Sequence, residues 1–185
     1  YKSIVGQKIQ KVSSDPTNPL VGQIWYNTTT GSLKGFQTIT AAWASGGDLN
    51  TARRGLGGSG TLTAALAFGG YVSNHTDASE EYNGSSWTEG NNLINSRSSI
   101  KGLGPQTEAL ASGGYTAPPT PDGVQNYTEE YDGTSWSEQN NLGTARMEGG
   151  ACGVQTAGLY FGGSTGSATG DTEEYNGSSW SEQNN

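Results

Sequence analysis

Residues 80–87 read EEYNGSSW. The same eight letters return at 173–180, and 129–136 read EEYDGTSW. Two neighbouring carboxylates on a short strand could serve acid/base chemistry or hold a metal, or they could be one tile of a repeating wall. The spacing of other marks decides between these. Trp recurs at 43, 87, 136 and 180. ALAFGG (65–70) matches ALASGG (109–114) and GLYFGG (158–163), and NTAR (50–53) matches NSR (95–97) and GTAR (143–146). A repeat of about 45 residues must be explained before any single motif is read as chemistry.

Each unit contains four strand-sized pieces. In the first, RRGLGGSG (53–60) precedes the apolar TAALAFGG (63–70), a polar loop follows, and ASEEYNG and SSWTEG complete the unit. Asn83-Gly84, Asp132-Gly133 and Asn176-Gly177 separate the last two pieces, and such dipeptides suit a two-residue type I′ hairpin with positive φ at both central positions. The Gly pair closing the second piece permits a sharp turn or a close approach of a neighbouring sheet. Four antiparallel strands per unit of this length is the arithmetic of a propeller blade. Composition agrees: of 185 residues, 30 are Gly and only 31% are hydrophobic, yet nine Tyr and five Trp are regularly placed, which favours short strands and glycine-rich turns over disorder.

Arg, an apolar strand ending in Gly-Gly, Tyr-(Asp/Asn)-Gly and Trp together resemble the kelch repeat over residues 43–185. The resemblance implies an all-β, kelch-like β-propeller of four-stranded antiparallel blades, with Tyr and Trp packed between blades. Three full blades are expected, at about 52–96, 97–145 and 146–185, after a partial unit, GFQTITAAWASGGDLN (35–50), that reads as two outer strands. Propellers usually have at least four blades, so the expectation is part of a larger ring, completed by a longer chain or by several copies. The first strands, GLGGSG and GGACGV, are less apolar than the kelch pattern and would crowd closely around a narrow axis.

Residues 1–42 differ in charge and pattern. They hold Lys2, Lys8, Lys11 and Lys34 against Asp15 alone, a net +3, whereas residues 43–185 hold five cations against sixteen carboxylates, a net −11. An acidic body repels phosphate backbones, so nucleic acid is not expected as a partner. DPTNPLVGQIWYNTTTGSLKGF (15–36) reads as a proline-restrained loop, a strand QIWYN, a Thr-Gly turn and a strand SLKGF. It resembles a segment of phage tail-fibre and other virion structural proteins, which implies an attachment hairpin over 1–42.

Chemistry is scarce. Neighbouring strand residues face opposite ways, so the two glutamates of a couple cannot line one site within a blade. A carboxylate present in every unit is better explained as architecture, with pairing to the repeated arginines as its role. The structural set of the repeat is then Arg53, Arg97 and Arg146; Glu81, Glu130 and Glu174; and Trp87, Trp136 and Trp180. One histidine, His75, and one cysteine, Cys152, are too few for a zinc cluster, a disulfide framework or a copper–tyrosine centre, and no nucleophile motif accompanies His75. No catalytic residue, metal or cofactor is expected. Asn27, Asn74, Asn83, Asn126 and Asn176 open Asn-x-Ser/Thr triplets, read here as turn chemistry. No apolar run approaches the length of a membrane span, so membrane insertion is not expected.

The variable segments are the loops between second and third strands, at 71–79, 115–128 and 164–172, and a rigid scaffold uses such loops for recognition. Tyr71, Asn74, His75, Tyr115, Pro118, Pro119, Asp122 and Tyr127 are the candidate binding residues. The expected function is a non-enzymatic virion component, a tail-fibre, spike or capsid appendage on the particle surface. It would join other virion proteins through the N-terminal segment and bind a host surface glycan or protein through these loops. A cellular kelch interaction scaffold and a glycan-active enzyme are the alternatives.

Overall fold

The computed structural model describes residues 9–36, 45–116 and 123–183. Residues 37–44 of the partial unit at 35–50, Trp43 among them, and Pro118, Pro119 and Asp122 lie outside the described residues. The regular structure among the described residues is entirely β, and the chain divides into two compact units, Tyr1–Ser45 and Gly46–Asn185.

In the first unit the expected hairpin is present as β2 (Ile24–Asn27) and β3 (Ser32–Gly35), antiparallel to each other. A further strand, β1 (Gln10–Val12), runs parallel to β2 and had no clear signal in the sequence. Asp15, beside Pro16, ties the sheet together. Its carboxylate accepts bonds from Trp25 Nε1 at 2.9 Å and Asn27 Nδ2 at 2.8 Å, and pairs with Lys34 Nζ at 2.6 Å. The hydrogen bond from Lys34, then those from Asn27 and Trp25, hold its pKa well below the ordinary carboxylate value. Asn27 Oδ1 accepts the backbone N–H groups of Thr29 and Thr30 at the turn.

The second unit contains three four-stranded antiparallel sheets in chain order. The first sheet is β4 (Gly57–Thr61), β5 (Ala64–Phe68), β6 (Ser79–Tyr82) and β7 (Trp87–Glu89). In the second are β8 (Lys101–Leu103), β9 (Leu110–Ser112), β10 (Thr128–Tyr131) and β11 (Trp136–Gln139). The third consists of β12 (Gly150–Val154), β13 (Ala157–Phe161), β14 (Thr172–Tyr175) and β15 (Trp180–Glu182). The first strands β4, β8 and β12 are neighbours in that order. Small residues make this approach possible: Gly60 N–H donates to the Gly104 carbonyl at 2.9 Å, and a Cβ on Gly102 would run into the Gly58 carbonyl and the Phe68 ring.

The hairpin between third and fourth strands differs from the expected two-residue turn. Tyr82 pairs with Trp87, so four residues form the loop. Only the Gly of each dipeptide has positive φ, 91°, 88° and 88° at Gly84, Gly133 and Gly177. The preceding side chain closes the loop itself: Asn83 Oδ1 accepts from Ser85 N and Ser86 N, and Asp132 and Asn176 repeat the pattern. The side-chain acceptor replaces the second left-handed residue that a type I′ turn requires.

Two sets of ties recur. Within each repeat, an arginine just before the first strand meets a third-strand glutamate: Arg53–Glu80 at 2.9 Å, Arg97–Glu129, and Arg146–Glu173 at 2.7 Å, all with side chains at most 3% exposed. The glutamate selected is the first of each couple, one residue before the three singled out from the sequence. It also accepts backbone N–H bonds from the incoming connection, Asn50 for Glu80, Ile94 and Asn95 for Glu129, and Gly143 and Thr144 for Glu173. The second glutamate faces the next sheet. Tyr131 Oη donates to Glu81, and Tyr175 Oη to Glu130 at 3.0 Å. Burial, reinforced by the adjacent carboxylate, raises the pKa of both phenols. Gln106 reaches back to the carbonyls of Ala65 and Tyr82, and Gln155 to those of Ala109 and Tyr131. Between the first two sheets Leu66, Phe68, Ala109, Ala111, Tyr131 and Trp136 form the main apolar cluster. Leu103 and Leu110 meet Tyr175 and Trp180 between the second and third.

Candidate functional site

The route to the site begins at the Gly pair ending each second strand. Gly69 and Gly70 have φ of 62° and 111°, Gly113 and Gly114 65° and 120°, and Gly162 and Gly163 62° and 109°. A Cβ at Gly69 would meet Ile100 and the Arg97 carbonyl, so this backbone both turns and presses on the following repeat. The residue after each pair then bridges back to the residue after the repeated arginine: Tyr71 with Arg54, Tyr115 with Ser98, and Ser164 with Met147. These reciprocal backbone bonds span 2.7–3.1 Å. Each sheet is thereby extended by one rung, and the loops leaving it stand on a fixed base.

At that end lies an open depression of about 410 Å³, lined by Arg54, Gly55, Tyr71, His75, Ser98, Ser99, Tyr115 and Glu148. All three repeats contribute. The rings form a row: Tyr71 and His75 have centroids 5.2 Å apart at 77°, and His75 and Tyr115 are 5.5 Å apart at 56°. The Arg54 guanidinium lies 5.0 Å from the Tyr71 ring centre. Burial lowers the His75 pKa below its usual 6.5, and its Nδ1 is buried with no hydrogen-bond partner. The imidazole is therefore a neutral member of the row at physiological pH.

The backbone beneath the row is unusual. Ser99 and Glu148 have φ of 54° and 61°, the left-handed region that non-glycine residues seldom occupy; the matching position in the first repeat is Gly55, at 62°. Ser99 N–H donates to the Gly55 carbonyl at 2.6 Å, and Glu148 N–H to the Ser99 carbonyl at 3.3 Å. A chain of backbone bonds thus links the three repeats and fixes the exit of the Glu148 side chain.

Of the residues selected from the sequence, Tyr71, His75 and Tyr115 come together in the depression. Asn74 is exposed in the same loop, where its carbonyl accepts from Val72 N–H, and it does not line the depression. Tyr127 lies instead beside the Arg97 guanidinium, 5.8 Å from its ring centre. Arg54, Ser98, Ser99 and Glu148 were missed. Their signal was positional: they follow the repeated arginine by one or two residues, and a four-stranded meander returns its fourth-to-first connection to the same end as its second-to-third loop. Among the described residues, no group of three or more His, Cys, Asp and Glu side chains is arranged to hold a metal. Neither a protein-family model nor any curated protein matches the chain.

Proposed function

We propose that the chain is a non-enzymatic virion structural module, a kelch-type β-propeller portion of a tail fibre, spike or capsid appendage. The residue 1–42 segment joins it to other virion proteins, and the loop end of the repeats binds a host surface ligand. Three like sheets with neighbouring first strands and recurrent Tyr–Glu ties support the propeller reading. The observation that carries the binding role is the row Tyr71, His75 and Tyr115, set on a braced base in an open depression. Flat ring faces bordered by polar groups suit a pyranose ring, which offers an apolar face and a hydroxyl rim.

The test pairs location with adsorption. Peptides of the chain should be recovered from purified particles, and the recombinant chain should compete with those particles for host cells. The double variant Tyr71→Ala, Tyr115→Ala should lose at least about tenfold in competition, taking each ring contact at roughly 1 kcal/mol. Absence of the protein from particles, or unchanged competition by the double variant, would refute the reading.

A further inference from the structure

We propose that Arg54 makes the loop-end depression selective for a carboxylated sugar, such as a uronic or sialic acid type residue. The inference rests on the loop end being the ligand-binding end, and it adds the chemical class of the ligand. The chain has four arginines. Three of them, Arg53, Arg97 and Arg146, are buried against glutamates. Arg54 is exposed, and among the described residues its guanidinium has neither a carboxylate partner nor a hydrogen-bond acceptor; its contact is the face of Tyr71. Stacking uses the flat face of a guanidinium and leaves its N–H edge free to fork an anion.

A shortage of acids does not explain this. Residues 43–185 contain sixteen carboxylates, and one of them, Glu148, lines the same depression without pairing to Arg54. Glu148 is held by a left-handed backbone that a glycine would occupy more readily, so its direction is set by the fold. A site presenting one cationic fork, one fixed carboxylate and a row of rings matches a ligand with three features. It needs an anion for Arg54, hydroxyl donors for Glu148 and an apolar ring face for the tyrosines. A carboxylated pyranose supplies all three. A neutral sugar leaves the Arg54 fork unused, and a densely charged sulfated or phosphorylated chain brings several anions up to Glu148.

The experiment is a glycan microarray of matched neutral, carboxylated and carboxyl-methylated glycans, probed with the full chain on multivalent beads at low and high salt. Wild type should retain carboxylated glycans above their neutral and methylated counterparts, with retention falling as salt rises. Arg54→Gln should lose roughly tenfold or more for the carboxylated set, and Arg54→Lys should recover only part, because an ammonium cannot fork a carboxylate. Circular dichroism and melting should be unchanged, since Arg54 is exposed. Equal retention of neutral glycans, or an Arg54→Gln variant that binds like wild type, overturns the proposal. If no glycan is retained but the beads still bind host cells through Tyr71 and Tyr115, the sugar assignment fails and loop-end attachment stands. If host-cell binding ignores those tyrosines, the underlying reading fails as well.

Discussion

Phe68 and Phe161 occupy the same place in the first and third repeats, yet Phe68 is fully buried and Phe161 is 43% exposed. Phe68 has the second sheet against it, with the Trp136 ring edge-on at 5.0 Å, whereas Phe161 faces no further sheet among the described residues. Two of the tryptophans run in parallel. Trp136, at the boundary between the first two sheets, is 7% exposed, while Trp87, with no preceding sheet among the described residues, is only half-buried. Trp180 has the second sheet against it but is also half-buried, where Ser112 stands in the place of Phe68. The Arg–Glu pairs do not follow this trend: all three are buried to the same degree. The difference separates two kinds of stabilisation in one repeat. The ion pair, closed within each repeat and its incoming connection, comes with the repeat, whereas ring burial is conferred by the neighbour.

Three pairs of substitutions would break or sharpen this contrast. The largest effect is expected at the pairs. Arg97→Met and Arg53→Met each strand a buried glutamate and should cost about 3–5 kcal/mol, by similar amounts at the centre and the edge. Thermal melts that spare Arg53→Met would show that the pairs also depend on neighbours. Next are the rings. Phe68→Ala should cost about 3–5 kcal/mol through lost contact and a cavity, and Phe161→Ala less than about 1 kcal/mol. Equal losses in denaturant titration would mean that Phe161 is covered in solution. Smallest is the hydroxyl test: Tyr131→Phe removes the donor to Glu81 and should cost roughly 1.5–3 kcal/mol at most, whereas Tyr82→Phe, whose hydroxyl meets no glutamate, should leave the melt within about 0.5 kcal/mol.

Much of this architecture was legible in the residues. EEYNGSSW and its copies fixed the third and fourth strands, the Gly pairs fixed the exits, and alternation placed the two glutamates of each couple on opposite faces. Which glutamate met the arginine was not legible, because alternation gives two faces without saying which one receives the connection. The turn type was misread because Asn and Asp can either adopt the left-handed conformation themselves or cap the loop with a side chain, and one dipeptide serves both. Three of the eight residues lining the candidate site, Tyr71, His75 and Tyr115, were visible as aromatic residues in variable loops. The other five lie next to the repeated arginine, where Ser99 and Glu148 carry a backbone conformation that their identities do not advertise.

The inter-sheet ties have a consequence for how such a gene can change. Tyr-to-Glu and Gln-to-carbonyl bonds join each sheet only to its neighbour, and the same residues make the joint both times. WSEQNN stands at 136–141 and again at 180–185, so two units share an identical stretch at their fourth strands. Unequal recombination between such copies can insert or delete one whole unit while every surviving joint keeps its partners, as in other nearest-neighbour arrays. Loop content and unit number can then vary independently, giving a lineage two separate routes to a new surface.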